Sequence, residues 1–133
     1  MSYADRLRIL VVDDSVQIRE LMRMKLEEIS GVTMPLEVDF AVDGESALDK
    51  VQDAFYDLVF LDVVMPGIDG YQVCRQVKKI RPVRVVMLTG KSAAVDFGMG
   101  RSAGCDHYLT KPPNDVDMRT ILRLALLKKA AAV

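Results

Sequence analysis

The sequence predicts an α/β fold: five strand–helix units wound into one doubly wound, five-stranded parallel sheet with helices on both faces. Three observations predict it. Short runs of apolar, often β-branched residues alternate with amphipathic helical stretches along the whole chain. Three of those runs, Ile9-Leu10-Val11-Val12, Leu58-Val59-Phe60-Leu61 and Val85-Val86-Met87-Leu88, are apolar without a break, as in central strands buried on both faces. The spacing of the alternation implies right-handed crossovers between parallel strands.

The first run ends abruptly in Asp13-Asp14-Ser15, a helix-capping signal, and Ile18, Leu21, Met22, Leu26 and Ile29 then recur at helical spacing until Ser30-Gly31 stops them. Leu36, Val38 and Phe40 alternate with Glu37 and Asp39, as in a half-exposed edge strand. After Asp43-Gly44, Ala47, Leu48, Val51 and Phe55 mark the apolar side of a second helix. The second continuous run ends at Asp62, and Pro66-Gly67 and Asp69-Gly70 make a loop before a third helix carrying Val73, Val77 and Ile80, closed by Arg81-Pro82. The third run ends at Thr89-Gly90. A weak helix over residues 92–103 carries Gly98 and Gly100, and residues 106–109 form a short strand ending in Thr110-Lys111-Pro112-Pro113. Asn114 caps a last helix with Met118, Ile121, Leu122 and Ala125 turned inward.

Composition bounds the function. The 133 residues have the length of one domain, and half are hydrophobic, enough for a core without disulfides or a structural metal. Eighteen Lys and Arg against 19 Asp and Glu exert no global pull toward nucleic acid or membrane. Cys74 and Cys105 form no CxxC and read as reduced thiols of a cytosolic chain; Cys105 and His107 lack the further ligands a zinc set needs. Residues 1–8 are charged and lack the apolar core of a signal peptide, and no apolar run approaches the roughly 20 residues that span a bilayer.

In open parallel sheets, ligands bind beyond the carboxyl ends of the strands. There the sequence places Asp13 and Asp14 after the first strand, Asp62 after the third, Thr89 after the fourth and Lys111 after the fifth. Like charges about 4 Å apart cost roughly 4 kcal/mol at an effective dielectric near 20, so three carboxylates together imply a cation. Mg²⁺ suits the position, held by one or two carboxylates and a phosphate. Lys111 can meet a carboxylate and a phosphoryl oxygen, Thr89 offers a hydroxyl, and an Asp carboxylate can itself take up a phosphoryl group. Gly90-Lys91-Ser92 is not the tail of a P-loop, because Val85 stands where that motif needs glycine. No GxGxxG follows the first strand.

The motifs Val11-Val12-Asp13-Asp14-Ser15, Leu61-Asp62-Val63-Val64-Met65-Pro66-Gly67-Ile68-Asp69-Gly70, Met87-Leu88-Thr89-Gly90 and Tyr108-Leu109-Thr110-Lys111-Pro112 resemble, in order, those of the response-regulator receiver family of two-component signalling. The likeness covers essentially the whole chain. It implies a flavodoxin-like strand order, 2-1-3-4-5, and residues 1–133 as a single receiver domain without an output domain. It implies Asp62 as phosphoacceptor, with Mg²⁺ bound by Asp14, by Asp13 mostly through water, by Asp62 and by the carbonyl of Val64. Thr89 and Lys111 would bind the phosphoryl oxygens, Gly90 would leave them room, and Tyr108 would turn inward as Thr89 moves. A sensor histidine kinase or phosphotransfer protein would be the donor. A downstream target protein would read the face made by the fourth helix, fifth strand and fifth helix. A phosphorylation-dependent dimer, a cytoplasmic location and no direct contact with nucleic acid or membrane complete the expectation. Such a chain catalyses only its own phosphoryl transfer and autodephosphorylation.

Val64 and Lys91 depart from the commonest pattern at two places beside the path of the attacking water. Two alternatives stay open. One is a receiver cut from a longer regulator with DNA-binding or enzymatic output. The other is an aspartyl-phosphate hydrolase of the haloacid-dehalogenase type, which needs a second Asp where Val64 stands. Taken alone, His107 reads as a surface residue without a role, and Tyr108 as an ordinary half-buried strand tyrosine.

Overall fold

The computed structural model describes residues 6–31, 33–90 and 97–131. Strands β1 (Leu7–Val12), β2 (Leu36–Ala41), β3 (Leu58–Asp62), β4 (Arg84–Thr89) and β5 (His107–Thr110) alternate with helices α1 (Val16–Ile29), α2 (Gly44–Asp53), α3 (Gly70–Ile80), α4 (Phe97–Ala103) and α5 (Asp115–Ala131). The strands form one parallel sheet in the order β2-β1-β3-β4-β5. The three unbroken apolar runs are the three central strands, and the alternating run is the β2 edge, because only a strand covered on both faces must be apolar throughout.

The strand pleat sorts the core into two layers. Leu10, Val12, Val59, Leu61, Val85 and Met87 point to the side covered by α2, α3 and α4. Ile9, Val11, Leu58, Phe60, Val86 and Leu88 point to the side covered by α1 and α5. Phe60, fully buried, would cost about 3–5 kcal/mol if cut to alanine.

Four helices begin on a side-chain cap directly after a loop. Ser15 accepts from the Ile18 N–H (3.3 Å), Asp43 from Ser46 (2.8 Å), Asp69 from Gln72 (2.9 Å) and Asn114 from Asp117 (2.8 Å). Each cap satisfies a donor the first turn leaves open, a contribution of about 1 kcal/mol.

One expectation fails. Phe55 does not extend the apolar side of α2. The backbone turns extended at Ala54, so helical spacing no longer applies, and Phe55 is 44% exposed beneath the Arg81 guanidinium. Tyr56 takes the buried place instead, its hydroxyl donating to Asp39 at 2.6 Å. The expected start of the fourth helix, residues 92–96, lies outside the described residues. Among the described residues no helix is long and apolar enough to cross a membrane.

Candidate functional site

The carboxyl ends of β1, β3, β4 and β5 bring five predicted residues to one edge. Asp13 follows β1 and is fully buried. Its N–H donates to the Ala41 carbonyl (3.2 Å), its own carbonyl accepts from Arg19 (2.7 Å), and its Oδ1 accepts from the Ser15 N–H (2.9 Å). Asp62 ends β3, 2% exposed, with Oδ1 accepting from the Val64 N–H at 3.1 Å. Asp14 is exposed on the solvent side. One carboxylate oxygen from each of Asp13, Asp14 and Asp62 lies within 4.8 Å of the others.

Lys111 stands between two of these acids, its Nζ 3.1 Å from Asp62 Oδ2 and 3.3 Å from Asp13 Oδ2. Its N–H donates to the Thr89 carbonyl at 2.7 Å, fixing the β5 end against β4. Thr89 is buried, and its hydroxyl donates to the Leu109 carbonyl at 3.5 Å. The Lys111 peptide bond to Pro112 is cis.

One ammonium against three carboxylates leaves the edge short of positive charge. Burial, and then the Asp13 carboxylate beside it, push the Asp62 carboxyl up from its usual range, against the pull of Lys111 and the Val64 N–H. Burial works against the charged form of Lys111, but its bonds to the two carboxylates outweigh that and hold its ammonium above the usual range. The donor set therefore fits a divalent, oxygen-preferring ion: three oxygens close together, one open to solvent, and uncompensated negative charge.

Tyr108 lies half-buried on β5, against the core layer under α4. Burial, and then hydrogen bonding with Cys105 and Tyr71, raise its phenol beyond the normal range. Its hydroxyl lies against Gly100, where a Cβ would overlap it. Read from sequence, Gly100 only softens a helix; its packing reason is the approach of a tyrosine eight residues later. Gly70 has a similar reason, since a Cβ there would overlap the Asp62 carbonyl. α3 can start hard against the strand end that carries Asp62 only because that residue has no side chain.

Sequence reasoning missed Arg19, Tyr71, Cys105 and the packing role of Gly70. Arg19 had a faint signal, a cation one turn into the helix behind the acid pair. His107 is not an idle surface residue: it is half-buried and its Nε2 meets the Arg84 guanidinium at 3.1 Å. Gly90 follows β4 directly, while Lys91 lies outside the described residues. Val64 is the second residue of the loop after β3, exposed to solvent at 66%.

A family model described as the response regulator receiver domain matches residues 9–123. The chain belongs to this family. It is 39% identical to the transcriptional regulatory protein ResD of Bacillus subtilis over 98% of its own length and 52% of that protein. It is 37% identical to protein PilG of Pseudomonas aeruginosa over 82% of its length and 79% of that protein. This receiver thus spans about half of ResD and most of PilG. Among solved structures it resembles the Vibrio cholerae chemotaxis protein CheY4, with a TM-score of 0.77 and 28% identity over 90% of this chain and 98% of that one. It also resembles a CheY-like receiver protein of Methanospirillum hungatei, with a TM-score of 0.83 and 26% identity over 96% and 99% of the two chains. Receivers serve two-component signalling, not substrate turnover, and their family binds Mg²⁺ at an acidic pocket.

Proposed function

We propose that Asp62 accepts a phosphoryl group from the histidine of a sensor kinase or phosphotransfer protein, and that the resulting change is read by a target protein. The observation that carries this reading is the placement of Asp62: buried at a strand end, bridged to Asp13 through Lys111, with Asp14 open beside them. An Asp62 oxygen attacks phosphorus, a P–O bond forms as the donor's P–N bond breaks, and the electron pair returns to the imidazole. Asp13, Asp14, Asp62 and the Val64 carbonyl would hold Mg²⁺, which when bound offsets the clustered negative charge and that of the incoming phosphoryl group. Lys111 binds a phosphoryl oxygen while keeping its place beside Asp13. Thr89 exchanges its bond to the Leu109 carbonyl for another phosphoryl oxygen. Tyr108 packs beside that movement, so α4, β5 and α5 form the face that changes.

A haloacid-dehalogenase-type hydrolase is disfavoured because Val64 offers no acid or base where that chemistry needs one. We read residues 1–133 as one cytoplasmic receiver unit whose state is delivered by contact of the α4, β5 and α5 face with an effector, whether separate from this chain or continuous with it. The reading is tested with acetyl phosphate and Mg²⁺. The wild type should gain one phosphoryl group by mass, and Asp62→Asn none; full labelling of the variant would refute the assignment.

A further inference from the structure

Arg19 lies one turn into α1, half-buried behind the acid pair. A half-buried guanidinium ordinarily meets a carboxylate. This one has no ion pair among the described residues; the cations of α1 that do are Arg23, with Glu20, and Lys25, with Asp115. Its Nη1 donates instead to the Asp13 backbone carbonyl at 2.7 Å, a short, charge-assisted bond. The Arg19 N–H also donates to the Ser15 carbonyl at 3.1 Å, and the Ser15 side chain caps the same turn. The cation is therefore mounted on the helix start and grips the end of β1.

The two acids of the pair differ in how they are held. Asp13 is tied at every polar atom: its N–H to Ala41, its carbonyl to Arg19, Oδ1 to Ser15 and Oδ2 to Lys111. Asp14 is exposed, and among the described residues its carboxylate has neither hydrogen bond nor ion pair. Yet it stands within 4.8 Å of the other two carboxylates, whose charge repels it. Only its backbone can aim it there. The Asp13 carbonyl and the Asp14 N–H share one planar peptide unit, so fixing that oxygen fixes the plane from which the Asp14 side chain departs.

We propose that Arg19 is a positioning residue for the cation site: by clamping the Asp13–Asp14 peptide it holds the Asp14 carboxylate toward Asp13 and Asp62. The proposal rests on the reading of the acid edge as a Mg²⁺ site. A simple counter-charge would act with the opposite sign, since removing a cation beside clustered acids leaves them more attractive to Mg²⁺.

Mg²⁺ titration of the whole chain, followed by amide chemical shifts, tests this. Arg19→Met keeps the apolar stem and helix propensity and should raise the Mg²⁺ dissociation constant by about tenfold, as loss of a group that orients a metal ligand does. Arg19→Lys keeps a charged donor one atom shorter and should stay within about threefold of wild type, because only one N–H is used. In Mg²⁺-free Arg19→Met, ¹⁵N relaxation should show the Asp14 amide more mobile than in wild type and the Asp62 amide unchanged. Arg19→Gln, two atoms too short for the carbonyl, repeats both measurements should the methionine variant fail to fold. An unchanged or tighter dissociation constant in Arg19→Met overturns the proposal, as does weakened binding with an Asp14 amide as rigid as in wild type, or a lysine variant as weak as the methionine one. A wild type that binds no Mg²⁺ overturns the metal reading itself, and this inference with it.

Discussion

The two ends of the sheet use the same kinds of residue for opposite purposes. At the amino ends of the strands, charges are matched: Arg6 to Glu37 (3.2 Å), Arg8 to Asp39 (3.6 Å) and Lys129 to Asp57 (2.9 Å), with Tyr56 also donating to Asp39. Asp57 further accepts the Arg8 N–H at 2.8 Å, so one carboxylate ties β1, the start of β3 and the end of α5 together. At the carboxyl ends, three carboxylates gather around one ammonium that reaches only Asp13 and Asp62. Matched charge makes a clasp, and unmatched charge makes a site that is short of a cation. Buried polar groups stabilise only when fully paired, so the second arrangement is retained at a cost to the unliganded fold.

The largest expected effect contrasts the two ends directly. Asp57→Ala should lower stability by about 3 kcal/mol, because it leaves the Lys129 ammonium, 13% exposed, without its carboxylate. Asp62→Asn should leave stability unchanged or raise it in Mg²⁺-free buffer, because the folded chain already disfavours that carboxylate in its charged form. Urea unfolding measures both. Mg²⁺ should raise the melting temperature of Asp57→Ala as much as that of wild type, and that of Asp62→Asn less. Equal losses in the two variants would erase the distinction between clasp and site.

The next effect concerns the flank of the site, where shape rather than charge holds the structure. Gly100→Ala puts a methyl group against the Tyr108 hydroxyl and should cost about 1–3 kcal/mol, as overpacking does. In a Tyr108→Ala background the same change should instead stabilise, by up to about 1 kcal/mol, because alanine suits a helix better than glycine. The sign reversal is read from a double-mutant cycle in urea. Destabilisation of similar size in both backgrounds would mean that Tyr108 is not what requires the glycine.

The site was far more legible in the sequence than the clasp. Asp13, Asp62, Thr89 and Lys111 each sit where an apolar run stops, a local pattern that the parallel topology converts into one cluster. Arg8, Asp57 and Lys129 lie in separate parts of the chain with no shared local signature, and only the register of β1 with β3 and the length of α5 bring them together. Phe55 misled because helical spacing was extended past the true end of α2. Gly100 was read by its propensity when its cause was a contact made through the β4–β5 pairing.

A smaller effect sharpens how the site treats water. Val64, two residues past Asp62, is 66% exposed, and its side chain offers no hydrogen bond to place an attacking molecule. Val64→Asn adds such a group, and one bond worth about 1 kcal/mol changes a rate roughly five-fold. Phosphorylated Val64→Asn should lose its label a few-fold faster than wild type once the donor is removed, at constant Mg²⁺. An unchanged decay would show that water placement at this position does not limit the lifetime.

The smallest effect asks whether the amino end stays matched when acidified. His107 begins β5, half-buried, with its ring against the Arg84 guanidinium. Burial, and then the Arg84 charge, depress its pKa below the ordinary 6.5, with Asp106 opposing. The unfolded chain therefore takes up this proton at a higher pH than the folded one, and stability falls as pH drops through about 6.5 toward the folded value. Asp62 has the reverse sign in Mg²⁺-free buffer: its raised carboxyl binds a proton more readily when folded, so it adds stability as pH falls. The comparison is cleanest in the Asp62→Asn background, where that opposing contribution is absent. There, adding His107→Gln should reduce the fall in melting temperature between about pH 7.5 and pH 5.5, since glutamine brings no second cation against Arg84. If the two chains lose stability in parallel, protonation of His107 does not unbalance the amino end.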